Sequence, residues 1–291
     1  MQPPVAAVRE PGPWTHQDVR AAGASFHVAT SGAGEHTVLL LHDFPMYWWQ
    51  WREQLPALGS AGYHTVAMDL RGFGGSDYQP GKVELSRLVT DVSATMQSLG
   101  ITNYTLVGAG MGGTIGWMAA AQGVPGLHSL VTVGSPHPRL RRVGKMRARR
   151  NPFWREPVRG PRSLQDGVLV SDVLTRWSAP ENRKRMEQLV GVYSAPMERR
   201  FAAESAWETL QGTRKLTGKE RKLLARPITV PVLALRGAQD PRYSLLDTKG
   251  AQKYVAGQLS CIEVPESGHF VSEEQPGRLT ELLLEHVRRI S

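Results

Sequence analysis

The sequence predicts an α/β fold: a mostly parallel sheet of eight strands flanked by helices, with a helical segment inserted between the sixth and seventh strands. Three observations predict it. Short, almost continuously apolar runs of six to eight residues recur along the chain, as suits strands buried on both faces. Helical periodicities separate most of these runs. Between residues 138 and 226 the rhythm breaks into a charged stretch without a convincing buried strand. A chain of 291 residues is long enough for one large domain with a smaller one inserted.

In order, residues 14–22 and 24–30 read as a hairpin pair of alternating strands. The apolar runs follow: HTVLLLH (36–42), HTVAMDL (64–70), YTLVGA (104–109), HSLVTVGS (128–135), PVLALRG (231–237) and LSCIEVP (259–265). Helices are expected at about 82–99, 112–122, 245–256 and 273–290. Within the break, ENRKRMEQLVGVY and MERRFAAESAWETL have helical patterning. The expected organisation is a core over 1–137, a helical cap over 138–226 and the rest of the core over 227–291.

A hydrophobic content of 41% and a charged content of 21% belong to an ordinary soluble protein. No apolar run approaches the roughly 18 residues of a membrane span. The first residues, MQPPVAAVREPGPW, lack the basic-then-apolar layout of a secretory signal, so a cytoplasmic protein is expected. The one cysteine, Cys261, excludes an internal disulfide and a cysteine-rich metal site, and in LSCIEVP it reads as a buried, inert thiol. No metal and no other cofactor is expected.

The net charge of +9 is concentrated in one place. Arg139, Arg141, Arg142, Lys145, Arg147, Arg149, Arg150, Arg155, Arg159 and Arg162 stand against Glu156 alone, so this stretch holds the whole excess. Leu140, Val143 and Met146 recur within it at helical spacing. It reads either as a solvated arginine-rich surface or as a contact for an acidic partner or membrane surface over 139–162. Nucleic-acid recognition is not expected, because no aromatic interleaving, zinc ligands or helix-turn-helix pattern accompanies the charge.

Ligands of an open parallel sheet bind beyond the carboxyl ends of its strands. There the sequence places His42-Asp43-Phe44-Pro45, the glycine corner Gly108–Gly113, Asp240, and His269 in ESGHF. A carboxylate that accepts from one imidazole nitrogen fixes the tautomer and stabilises the imidazolium formed at the other. The corner LVGAGMGG has the shape of a nucleophile elbow, but Gly110 stands where the nucleophile belongs.

These motifs resemble the α/β-hydrolases of the epoxide hydrolase and haloalkane dehalogenase branch over nearly the whole chain. The most specific stretch is LLLHDFPMYWWQWREQLPALGSAGYHTVAMDLRGFGGSD (39–77). It matches the family at His42 and Phe44-Pro45, Tyr47, Trp48, Trp51-Arg52 and Asp69–Gly72. The resemblance implies that Asp240 is the orienting acid and His269 the base. It makes the backbone amides of Phe44 and Met111 the oxyanion hole, and places Trp48 and the cap residue Tyr193 at the substrate. The sequence departs from the family at two places. Ala109 and Gly110 replace the usual pair at the elbow, and Asp43 stands where a glycine is usual. Asp43 pointing inward acts on a water or repels anionic substrates; pointing outward it caps the loop.

Glycine offers no nucleophilic atom, so covalent catalysis at position 110 is excluded. The expected function is that of an epoxide-hydrolase-like enzyme in which the His269–Asp240 pair acts as general base on water or on a small apolar substrate. Three other readings stay open on the sequence: an inactive pseudo-hydrolase binding a small ligand, a scaffold whose basic segment binds an acidic partner, and a nucleophile-deleted variant of an epoxide hydrolase or esterase.

Overall fold

The computed structural model describes residues 8–78, 81–140 and 160–290. Eight strands build its centre: β1 (Thr15–Ala21), β2 (Ala24–Ser31), β3 (Thr37–Leu41), β4 (His64–Met68), β5 (Tyr104–Ala109), β6 (Leu127–Val133), β7 (Val232–Gly237) and β8 (Leu259–Val264). They form one sheet in the order β1-β2-β4-β3-β5-β6-β7-β8. β1 and β2 form the expected hairpin, β2 lies antiparallel on β4, and every other neighbouring pair is parallel. All residues of β3 and β5 are buried, which explains their unbroken apolar reading. Because β3, β5, β7 and β8 run in one direction, their carboxyl ends open onto the same edge.

The helices of the described chain are α1 (Gln54–Ser60), α2 (Leu85–Ser98), α3 (Gly110–Gln122), α4 (Gly160–Gln165), α5 (Val168–Trp177), α6 (Arg183–Gln188), α7 (Val190–Ser194), α8 (Ala202–Arg214), α9 (Gly218–Leu223), α10 (Leu245–Lys249), α11 (Val271–Glu274) and α12 (Pro276–Ile290). α3 is buried from Gly110 to Ala121, so it has no polar face. Its small residues let it press onto the sheet: a Cβ on Gly112 would lie 2.4 Å from the Leu41 carbonyl oxygen. α12 is the opposite case, with Leu279, Leu282, Leu283, His286 and Val287 forming one buried stripe.

Between β6 and β7, every described regular element is helical. Leu164, Val170, Leu174, Met186, Tyr193 and Ala206 are fully buried there. This inserted segment is tied to the sheet layer by hydrogen bonds. Thr209 donates to the Arg71 carbonyl (3.0 Å), Ala179 N–H to Glu274 (2.8 Å), and His269 N–H to the Trp177 carbonyl (2.7 Å).

All eight expected strands are present, with ends shifted by at most two residues. The helix expected at 245–256 is shorter: α10 stops at Lys249 and a tighter 3₁₀ turn, Gly250–Tyr254, follows. Gly250 is the weak helix former at that break. Cys261 is half-buried rather than buried, because β8 is the edge of the sheet. The basic residues between 141 and 159, with Val143 and Met146, lie outside the described residues. No helix among the described residues is long and apolar enough to cross a membrane.

Candidate active site

The site begins where β3 ends. His42 is fully buried and its two nitrogens are both used. Nδ1–H donates to the Asp43 carbonyl (2.9 Å), and Nε2 accepts from Leu70 N–H (3.0 Å), which defines the tautomer. Asp43 N–H donates to Gln50 Oε1 (2.8 Å), and Gln50 in turn donates to Ser272 Oγ (2.9 Å). Met46 N–H closes the turn onto the Asp43 carbonyl (2.9 Å). The Phe44–Pro45 peptide bond is cis. The backbone of Asp43 is thus held by three separate partners, and its side chain turns inward.

That carboxylate enters the elbow. Asp43 Oδ1 accepts from Phe44 N–H and Met111 N–H, both at 2.7 Å. These are the two amides expected to form an oxyanion hole, and a carboxylate oxygen fills it. Asp43 Oδ2 lies 3.1 Å from His269 Nε2. Beneath it, β5 passes into α3 through Gly110, whose φ of +40° is in the left-handed region that side chains avoid. Ser135 Oγ and Thr114 Oγ1 donate to the Gly110 carbonyl at 2.8 and 3.0 Å and fix the corner.

His269 completes the chain of groups. Its Nδ1–H donates to Asp240 Oδ2 (2.9 Å), while Asp240 Oδ1 accepts from Arg242 N–H (2.7 Å). The loop carrying His269 is pinned by Glu274, which accepts from Gly268 N–H (2.9 Å), Phe270 N–H (3.0 Å) and Ala179 N–H (2.8 Å). Glu274 therefore links the histidine loop to the inserted helices. Trp177 stands edge-on to His269 with ring centres 5.4 Å apart, and the Arg242 guanidinium stacks on Trp177 at 3.8 Å.

Burial alone would strip the proton from His269, but the Asp240 charge and the hydrogen bonds to Asp240 and Asp43 outweigh it and raise the imidazole pKa to about 9. At neutral pH the ring is therefore an imidazolium between two carboxylates. Burial likewise pushes the Asp43 carboxyl up, yet the His269 hydrogen bond and charge, Arg242 and the Met111 amide hold it below its ordinary value. The His269 side chain is fully enclosed, whereas 6% of the Asp43 side chain stays exposed. Asp43 is therefore the member of the pair that an incoming molecule can touch.

The structure brings Asp43, Asp240, His269, Gly110 and the Phe44 and Met111 amides together, as the strand-end reading expected. Trp48 and Tyr193 direct their side-chain polar atoms to other partners. Trp48 is fully buried, donates its indole N–H to the Val8 carbonyl (2.6 Å) and packs edge-on against Trp14, Trp49, His16 and Tyr47. Tyr193 donates its hydroxyl to Glu273, which also pairs with both terminal nitrogens of Arg52 at 2.6 and 2.8 Å. Sequence reasoning missed Arg242, Gln50 and Trp177. Arg242 had a signal, lying two residues after Asp240; Gln50 and Trp177 had none.

Eight strands in this order, a glycine elbow, and a histidine between the carboxylate that follows β3 and the one that follows β7 define a hydrolase architecture. The sequence profile of the alpha/beta hydrolase fold matches residues 36–276. The chain belongs to that family, in its epoxide hydrolase-like branch. It is 28% identical to mouse Epoxide hydrolase 4, covering 98% of this chain and 84% of that protein. It is 26% identical to Epoxide hydrolase A of Mycobacterium tuberculosis over 93% of this chain and 96% of that one. The fold is shared with Epoxide Hydrolase A of Mycobacterium thermoresistibile (TM-score 0.78, 21% identity, 96% and 99% of the two chains). It is shared also with a thermophilic esterase of Thermogutta terrifontis (TM-score 0.72, 21% identity, 95% and 99%).

Proposed function

We propose that this chain is a hydrolase of the epoxide hydrolase type, lacking a nucleophile at position 110, in which His269 oriented by Asp240 activates water against a small apolar electrophile. The observation that carries this reading is the Asp240–His269 hydrogen bond of 2.9 Å, with the other ring nitrogen turned to the Asp43 carboxylate that stands over Gly110. A carboxylate at Nδ1 holds the ring in the tautomer and orientation that water activation needs. Such acid–base help is worth roughly 10²–10⁴-fold. Trp177, at the end of α5 in the inserted segment, stands against His269 and is the side chain through which that segment would act on substrate choice.

The imidazolium state belongs to the resting enzyme. Nε2 becomes a base when the Asp43 charge beside it is displaced or neutralised, since that charge helps to hold the proton there. A second reading, a pseudo-hydrolase that binds a small ligand without turnover, is favoured by one observation: Asp43 Oδ1 occupies both amide donors at rest.

A panel of terminal epoxides and activated esters separates the two. The hydrolase reading expects turnover that His269→Ala abolishes while the fold, followed by circular dichroism, is retained. Undiminished turnover in that variant overturns the assignment. A panel member that raises the melting temperature and is never consumed supports the second reading.

A further inference from the structure

We propose that Asp43 is the covalent nucleophile of this site, a carboxylate carried on the β3 loop that replaces the side chain Gly110 lacks. The inference rests on the hydrolase reading above and keeps His269 as the base on water, but makes the target of that water an ester of Asp43 in place of the substrate itself.

Three independent features of the geometry point to it. First, the volumes coincide. A Cβ built on Gly110 would fall 2.0 Å from Asp43 Cγ, 2.0 Å from Oδ1 and 2.1 Å from Oδ2. The carboxylate thus stands where an elbow side chain would begin, reached from a neighbouring strand. Second, its two oxygens are already differentiated. Oδ1 is held by two amides at 2.7 Å, leaving Oδ2 as the attacking atom. An ester formed through Oδ2 leaves Oδ1 as its carbonyl oxygen, already in the donor pair that stabilises a tetrahedral oxyanion. Third, the base is adjacent. His269 Nε2 lies 3.1 Å from Oδ2, beside the carbon that water must attack in the second half-reaction. A carboxylate oxygen keeps further lone pairs beyond the one facing Nε2. Gln50, His42 and Met46 fix the Asp43 backbone, so the attack costs little reordering.

With an epoxide the steps balance. Asp43 Oδ2 forms a bond to a ring carbon as that carbon's bond to the epoxide oxygen breaks, giving an ester and an alkoxide. The alkoxide takes the His269 Nε2 proton, relayed by water, and His269 becomes neutral because the charge opposite it has been consumed. Neutral His269 then takes a proton from a water whose oxygen adds to Cγ. The oxyanion on Oδ1 collapses, the ester bond breaks, and the diol oxygen leaves with the proton from His269. The carboxylic acid of Asp43 returns its proton to His269, restoring the resting ion pair.

Two arms test this with styrene oxide as the probe. Wild-type protein in excess is allowed one turnover in ¹⁸O-water, and the diol and the Asp43-containing peptide are analysed by mass spectrometry. The expected result is label in the Asp43 carboxylate and none in the diol. The second arm incubates His269→Gln with styrene oxide, where deacylation is blocked; one substrate mass is expected on the protein, mapped to Asp43. Label found in the diol alone, with no adduct, overturns the proposal and leaves the hydrolase reading standing through direct attack of water. Neither turnover nor adduct removes both.

Discussion

The Asp43 carboxyl carbon lies 2.0 Å from the point where a Cβ on Gly110 would stand, so the two positions cannot both send a side chain into this space. The glycine at 110 and the carboxylate at 43 are therefore complementary. An elbow without a side chain makes room for the carboxylate, and the carboxylate restores a charged group opposite His269. The positive φ of Gly110 is relaxed by the same exchange, since glycine adopts that conformation without strain.

Asp240→Asn should separate orientation from binding. The amide keeps the volume but removes the charge that stabilises the imidazolium. Turnover is expected to fall by on the order of 10²–10⁴-fold, with KM changed little. Steady-state kinetics on an epoxide that the wild type hydrolyses checks this. An unchanged kcat contradicts the role given to Asp240.

The proton on His269 also links to stability. An unfolded histidine releases it near pH 6.5, whereas the folded protein holds it to about 9. The stabilisation is complete below 6.5 and is lost as pH rises through 9, because over that window the folded state binds the extra proton. Unfolding free energy measured in urea should decline across it by on the order of 3 kcal/mol. His269→Gln should lack that decline. His286, which burial pushes down to about 4, acts at lower pH and leaves this window clear.

Arg242→Gln should move both limbs of the pH–rate profile upward. The guanidinium lowers the proton affinity of Asp43 and of His269 alike, favouring the carboxylate and disfavouring the imidazolium. Its removal raises both. A profile shifted downward, or unmoved, contradicts the placement of this charge over the site.

Farther from the chemistry, Arg71 pairs with Asp91 through two hydrogen bonds of 2.7 Å, with only 2% and 3% of the two side chains exposed. The arginine belongs to the loop after β4, whose Leu70 amide holds His42. Asp91→Ala leaves a buried cation without its carboxylate and is expected to cost about 3–5 kcal/mol in urea unfolding. A loss under about 1 kcal/mol would show that the pair is dispensable.

Much of this was readable in the residues, and the reasons are physical. β3, β5 and β7 are buried along their whole length, so each writes an apolar run that periodicity detects. α1 escaped because QLPALGS carries a proline and a glycine within seven residues. At the site, Asp240 and His269 were legible because strand order alone brings late strand ends together. Asp43 was legible as a departure but not in its direction, which depends on the turn held by Gln50 and His42. Nor does a linear sequence show that the losses at 110 and the gain at 43 meet, because 66 residues lie between them. Trp48 and Tyr193 were placed by resemblance alone, and here Val8 and Glu273 have taken their polar atoms.

The most direct measurement returns the carboxylate to the elbow. Asp43→Gly is compared with Asp43→Gly/Gly110→Asp in steady-state hydrolysis of the same epoxide. The single variant is expected to lose turnover by on the order of 10³-fold or more, and the double variant to recover a substantial part of it, because removing the Asp43 side chain clears the space a Cβ at 110 needs. Full activity in Asp43→Gly would contradict the claim that a carboxylate over Gly110 drives this site.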